Sequence, residues 1–442
     1  MLWKNDGGVE VSALAGSAIE GAIALRVRIH QRLIELLNLS LLDRTPREQL
    51  RTEIRGAVTQ LLNDEKRFLT APQTDQLIED VLDELLGLGP LEPLLKDDTI
   101  SDILINTHTT VYVERKGRLE QTDVHFQDTR HLVRIINKIV AAVGRRVDES
   151  QPMVDARLAD GSRVNAIIPP LAVDGPLVSI RKFAATPIHM AKLIELGSMT
   201  TEMAQVLQAI VKARRNVLIS GGTGSGKTTL LNAMSAYIDT HERIVTIEDS
   251  AELQLQQPHV GRLETRPMNI EGKGEVTQRE LVRNALRMRP DRIIVGEVRA
   301  GEAFDMLQAM NTGHDGSMTT VHANTPRDAL SRVEQMIGMA GLEISPRSIR
   351  QQIAAAINVV VQVERLDDGR RRVVSISEIV GMEEDVISMQ EIFKFRRRGR
   401  DAQGMVAGDH ETTGVRPKFM DVLAGRGIDL PSAMFTPGRR SV

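Results

Sequence analysis

Eight consecutive residues, Gly221-Gly222-Thr223-Gly224-Ser225-Gly226-Lys227-Thr228, fit the pattern G-x-x-x-x-G-K-[ST]. The chemistry open to such a run is phosphate binding. Its glycines free backbone N–H groups to wrap phosphate oxygens at a helix N-terminus, where the helix dipole favours an anion. In that arrangement Lys227 reaches the β- and γ-phosphates of a nucleotide and the Thr228 hydroxyl ligates Mg2+, with Thr229 next in the same helical turn. Background composition alone produces the bare pattern in roughly one or two chains of this length per hundred. The flanks add to it, because an apolar strand precedes the run and an amphipathic helix follows. The competing reading is a glycine-rich turn that binds nothing.

Two carboxylates stand where strands end. Residues 243–247 run into Glu248-Asp249, and residues 293–296 run into Glu297, with Arg299 and Glu302 after it. In open parallel sheets ligands sit at the C-terminal strand ends, so both Glu248 and Glu297 are expected to project towards the phosphate loop. One could polarise an attacking water and the other hold the hydration shell of a magnesium ion. Each alone is more often a helix cap. His314 and His322 bracket the strand over 317–321. Their spacing of eight does not specify a metal pair, and no third ligand is evident. They read either as one loop and one core histidine or as sensors of a γ-phosphate. Arg157, Arg163 and Arg181 lie on strands of the preceding domain. Arginine's planar fork suits phosphate charge, so an arginine finger and ordinary surface ion pairing both remain open.

The elements that must position these residues follow from periodicity. Residues 1–20 carry turn and small residues. Helical stripes run over 22–42, from Pro46 to about Phe68, and over 74–86, the last stopped by Gly87 and Gly89. Short strands follow over 103–105, 110–114 and 119–125, then a helix capped by Asp128, a hairpin turning at Asp160-Gly161, and a strand over 177–183. From residue 216 strands and helices alternate, which predicts a mostly parallel sheet covered on both faces. The last 60 or so residues read as polar and turn-rich, with a basic run from Lys394 to Arg400 that suits a solvated face or an acidic partner. The expected domains are a helical appendage over 1–74, an α/β domain over 75–185, and a phosphate-loop domain over 186–442 with a helical, polar C-terminal extension.

Composition limits what this architecture serves. The 442 residues carry 56 Lys and Arg against 59 Asp and Glu, a net charge of −3, which excludes a basic nucleic-acid coat. A 41% hydrophobic and 26% charged content is that of an ordinary globular protein. With no cysteine there is no disulfide framework, Cys-ligated zinc or thiol nucleophile. Eight Phe, two Tyr and one Trp are too few for a base-stacking platform, which counts against direct nucleic-acid binding. No leader-like start and no apolar run of about 20 residues is present, so no transmembrane segment and a cytoplasmic location are expected.

The motifs in this order resemble the type II/type IV secretion ATPase superfamily, the hexameric motors of secretion systems and pili. Residues 221–228 resemble its Walker A loop, residues 246–253 its acidic Asp box, residues 289–299 its atypical Walker B segment, and residues 312–324 its His box. Within the superfamily, residues 155–158, 161–170, 179–183 and 413–419 resemble the Flp/Tad pilus assembly, CpaF-like branch. The absence of cysteine separates the chain from the relatives that carry a four-cysteine zinc module. The resemblance implies a RecA-like domain binding ATP and Mg2+ through Lys227 and Thr228. It implies Glu248 as the water-activating base, Glu297 as support for the metal, and His314 and His322 as the link from γ-phosphate to domain motion. It further implies completion of the site by Arg157, Arg163 and Arg181, a hexameric ring, and peripheral association with the inner membrane through a platform protein. A conjugation-type transfer ATPase and a non-hydrolysing scaffold are the alternatives.

Overall fold

The computed structural model of the protein describes residues 47–64, 69–115, 117–183, 187–268 and 273–440. The expected helix over 22–42 and the small-residue start lie outside these. The chain divides into two compact units, Met1–Ala184 and Ala185–Val442.

In the first unit, helices Arg47–Asp64 and Ala71–Leu86 bury Leu50, Ile54 and Val58 against Ile78, Val81 and Leu82. The second helix starts at Ala71 because Thr70 caps it in a reciprocal box with Gln73 and Pro72 sits in its first turn. The 74/75 boundary expected from sequence therefore cuts a helix that pairs with the preceding one. His131 Nε2 lies 2.7 Å from Glu84 Oε1, and Lys96 Nζ 3.0 Å from Asp83 Oδ1, fastening this helix pair to the α/β part. That part is a six-stranded antiparallel sheet in the order β3-β2-β1-β6-β5-β4. Its strands are β1 Ile100–Thr107, β2 Thr110–Arg115, β3 Arg118–Gln121, β4 Met153–Arg157, β5 Arg163–Ile167 and β6 Leu177–Arg181. Helix Thr129–Ala142, capped by the Asp128 side chain, covers one face with Leu132, Ile135, Ile136 and Ile139. The alternating burial along β6 leaves Leu177, Ser179 and Arg181 on the other, exposed face.

The second unit is a RecA-like α/β domain. Its sheet has the order β16-β15-β14-β13-β12-β7-β11-β10-β8-β9. The central strands are β7 Val217–Gly221, β8 Ile244–Glu248, β9 Val260–Glu264, β10 Arg292–Val295 and β11 Met318–Val321. They pair in parallel with one another and with β12 Val359–Arg365. β7, β8, β10 and β11 are buried along their whole length, as helices on both faces require. Helices Thr201–Lys212 and Lys227–Ser235 pack on one face, and Gln278–Ala285, Glu302–Asn311, Pro326–Met339 and Pro346–Ala356 on the other.

The C-terminal part departs from the expected helical, polar extension. It extends the sheet antiparallel through β13 Arg371–Glu383, β14 Val386–Arg400, β15 Val406–Thr412 and β16 Gly438–Arg440, with one short helix, Phe419–Gly425. The polarity that reads as loop in the sequence belongs to cross-strand ion pairs. Arg396 Nε meets Glu411 3.3 Å away, Arg398 Nη2 meets Asp409 at 2.7 Å, and Arg397 pairs with Glu364. The basic run is thus a paired ladder rather than an open cationic face. No helix among the described residues is long and apolar enough to cross a membrane.

Candidate functional site

The phosphate loop leaves β7 at Gly221 and enters helix Lys227–Ser235 at Gly226, whose φ of 97° only glycine adopts without strain. Gly221 is equally constrained. A Cβ there would lie 2.3 Å from Val363 O and 2.5 Å from Ser225 Oγ. Lys227 is buried, and its Nζ donates to Gly221 O at 3.0 Å and Gly222 O at 2.9 Å, with His322 Nε2 at 3.3 Å. Thr228 and Thr229 follow in the first turn of the same helix, while Gly222, Thr223 and Gly224 form the exposed crest.

The neighbouring strand ends bring the acidic residues to this loop's end of the sheet. β8 and β10 run parallel with Ile247 opposite Val295, so Glu248 and Glu297 follow at adjacent positions. Gly296 has a specific reason to lack a side chain, since a Cβ there would come within 2.9 Å of Glu248 Cγ. Glu248 Oε2 accepts from the backbone N–H of Glu252 at 2.7 Å and of Leu253 at 2.8 Å. Its Oε1 is buried with no hydrogen-bond partner. Burial outweighs those two hydrogen bonds and pushes the Glu248 carboxyl up to about 7. Glu297 Oε2 accepts from Arg299 Nε at 2.8 Å, and His322 Nε2 lies 2.6 Å from its Oε1. Arg299 also spans to Asp249 at 3.1 Å. Desolvation, with Lys227 and Arg299 nearby, lowers the His322 pKa against the pull of Glu297, favouring a neutral ring.

His314 and His322 lie at opposite ends of β11. β11 runs parallel to β7 with Met318 opposite Val217 and Val321 opposite Ser220. His322 therefore follows the strand at the loop end, while His314 precedes it at the opposite end. There His314 contacts Ala309 O at 3.2 Å, and Ser317 Oγ donates to its carbonyl at 2.8 Å. The symmetry of a His pair about a strand hides that four residues of extended chain separate its two ends. Within its own subunit His314 is not part of the loop constellation.

Arg157, Arg163 and Arg181 stand together on the first unit's sheet. Arg157 opposes Arg163 and Arg163 opposes Arg181, so the three form one cross-strand row, ended by Arg181 Nε 3.3 Å from Asp102. Glu302 is a cap, its Oε1 accepting from the N–H of Arg299 at 2.6 Å and of Ala300 at 2.8 Å. Sequence reasoning gave Arg299 no role, although its place two residues after Glu297 was visible. It also overlooked Arg365 and Arg371, which reach the loop from a hairpin far along the chain.

The residues present fit a magnesium nucleotide. Ser225 Oγ and Glu248 Oε1 are buried polar atoms without partners, and Lys227 lies among the loop's own carbonyls. Among the described residues no group of three or more His, Cys, Asp or Glu side chains is placed to hold a metal ion.

The family model for the type II/IV secretion system protein matches residues 84–406. A Mycobacterium tuberculosis protein named for conjugal transfer is 42% identical over 300 residues, 66% of this chain and 85% of its own length. Conjugal transfer protein TrbB of Rhizobium radiobacter is 34% identical, covering 65% of this chain and 85% of itself. Type IV secretion system protein VirB11 of Bartonella henselae is 30% identical, covering 66% of this chain and 92% of itself.

Proposed function

The chain belongs to the type II/IV secretion system protein family, and from that premise we propose that it is an ATP-hydrolysing motor of a type IV secretion or conjugal-transfer machine. The observation that carries this reading is the convergence at one end of the parallel strands. There Lys227 sits in its glycine loop beside His322, Glu297 and a Glu248 carboxyl with a spare oxygen.

Lys227 exchanges the Gly221 and Gly222 carbonyls for β- and γ-phosphate oxygens, which are stronger acceptors for an ammonium ion. Thr228 would hold Mg2+, which when bound would neutralise phosphate charge. Glu248 takes the proton of the attacking water at Oε1, and a carboxyl near 7 is poised for that transfer at neutral pH. Glu297, fixed by His322 and Arg299, supports the metal's water shell. His322 Nε2, within reach of both Glu297 Oε1 and Lys227 Nζ, places the end of β11 beside the loop and can serve one of them at a time. Arg157, Arg163 and Arg181 complete the phosphate site in a hexameric ring. The ring works in the cytoplasm, held peripherally at the inner membrane by a platform protein.

Relatives named for conjugal transfer and type IV secretion favour the transfer machine. A second reading, Flp/Tad pilus assembly, rests on residues 155–158, 161–170 and 179–183, the segments that build β4, β5 and β6. A host strain carrying Lys227→Ala separates the two. Loss of DNA or protein transfer with pili intact supports the first, and loss of surface pili with transfer intact supports the second. Absence of turnover by the purified wild-type oligomer with Mg-ATP and its partner present would instead indicate a nucleotide-dependent scaffold.

A further inference from the structure

Glu297 stands at the end of a chain of contacts that begins outside the phosphate loop. Arg299 gives Glu297 Oε2 two hydrogen bonds, from Nε at 2.8 Å and from Nη2 at 2.5 Å. Its other terminal nitrogen, Nη1, lies 3.1 Å from Asp249 Oδ2. The second Asp249 oxygen, Oδ1, accepts from Gln278 Nε2 at 2.9 Å. One guanidinium thus joins the end of β10 to the residue that follows β8, and a side-chain amide fixes the far end of that link.

The chain is uneven in burial. Asp249 and Arg299 are exposed, so water competes for both, and an ion pair by itself fixes little there. Gln278 is buried and firmly placed. It is the first residue of helix Gln278–Ala285, whose start is set by a capping box between Thr277 and Glu280. That helix buries Val282 and Ala285 in the core. Arg279 and Arg283 each donate to one oxygen of Asp305 at 2.8 Å, tying it to helix Glu302–Asn311. The backbone at Asp249 is pinned as well, since Thr265 Oγ1 donates to its carbonyl at 3.2 Å.

The residue type at 278 matters. A neutral amide orients Asp249 while leaving its negative charge to Arg299, whereas an ammonium there would compete for the carboxylate. The arrangement also leaves Gln278 Oε1 buried without a hydrogen-bond partner. Packing alone would favour an apolar side chain at such a position. We infer that Gln278 is a positioning residue for ATP hydrolysis, acting through Asp249 and Arg299 to fix the Glu297 carboxylate beside Glu248. This rests on the reading of Glu297 as support for the metal's water shell, and adds to it the helix that sets its aim. Gln278 itself takes no part in phosphate binding or proton transfer.

The test uses the full-length oligomer, with Mg-ATP turnover at varied Mg2+, titration with a fluorescent ADP, and thermal melting. Gln278→Met keeps the length of the buried side chain and removes its donor. It is expected to lower kcat by about threefold to tenfold and to raise the Mg2+ concentration for half-maximal turnover by about threefold. ADP affinity and melting temperature should stay as in the wild type. Gln278→Leu, of similar volume, should show the same pattern and serves if Gln278→Met folds poorly. Asp249→Ala should lose at least as much, and adding Gln278→Met to it should lose nothing further, because the link is already cut. Losses that multiply in the double variant would overturn the inference, since Gln278 would then act by another route. Unchanged kcat and Mg2+ dependence in both Gln278 variants, while Glu248→Gln loses turnover, would overturn it and leave the hydrolytic site standing. A lowered melting temperature with normal Mg2+ dependence would also overturn it, by making Gln278 a support of the fold alone. Failure of the wild type to hydrolyse ATP overturns it together with the reading beneath it.

Discussion

Two regions of the second unit are dense in charge, and they are built in opposite ways. At the strand ends beside the phosphate loop, Lys227, Glu248, Glu297, Arg299 and His322 are packed close together, and buried carboxylate oxygens, Glu248 Oε1 among them, are left without a hydrogen-bond partner. Along β14 and β15, Arg396 pairs with Glu411, Arg398 with Asp409 and Arg397 with Glu364, the three arginines all exposed. The ladder satisfies its charges with one another and is screened by water. The strand ends keep a buried group short of its partners, at a cost that only a ligand or a reaction offsets. Incomplete pairing under burial, rather than charge density, separates the candidate site from the scaffold.

That contrast can be broken by substitution. The largest effect is expected for Glu248→Gln, which keeps an acceptor for the Glu252 and Leu253 N–H groups but cannot take a proton. Its kcat for Mg-ATP should fall by about 10²–10⁴ while ADP still binds. In the wild type kcat should rise with pH through an apparent pKa near 7, and the variant should lose that inflection. The sign for stability is the reverse. The folded-state value lies above the ordinary 4.5, so the stability of the protonated form is full below 4.5 and lost as pH rises through about 7. In nucleotide-free melts the variant should therefore gain on the wild type as pH rises across that window. A wild-type kcat that is flat with pH would remove Glu248 as the base.

Gly296→Ala comes next, since its methyl group would fall 2.9 Å from Glu248 Cγ. Displacing the carboxylate should lower kcat by about tenfold to a hundredfold, with ADP affinity retained. Equal activity would mean that the position of Glu248 is not critical. His322→Ala should have a comparable or smaller effect on kcat, about tenfold, by releasing Glu297 from one of its two holders. Smallest is the ladder. Arg398→Ala should change stability by no more than about 1 kcal/mol and leave turnover untouched. A large loss of turnover there would erase the distinction between the two regions.

Much of this was legible in the sequence. The glycine loop, the acidic strand ends and the alternation of strand and helix after residue 216 depend on local pattern, and a mostly parallel sheet covered on both faces follows from that alternation. The first unit's helix at Thr129–Ala142 was readable from Asp128 and its apolar stripe. What was not legible depends on pairing across distance. β14 shows charged residues whose partners lie on β12 and β15, so it reads as loop until the strands are placed together. His314 and His322 look equivalent until the direction of β11 relative to β7 assigns them to opposite ends. Arg371 meets Gly224 only because β12 pairs with β7, a contact between segments remote in the chain. The unpartnered oxygen of Glu248 is likewise a fact of packing, with no sequence signature.

The central claim is that the loop at Lys227 binds ATP for hydrolysis. Its most direct test is Mg-ATP turnover by the purified full-length oligomer, with wild type and Lys227→Ala measured side by side along with their melting temperatures. The account predicts turnover by the wild type and its loss by at least about a hundredfold in a variant that melts normally. Turnover by Lys227→Ala equal to that of the wild type would contradict it.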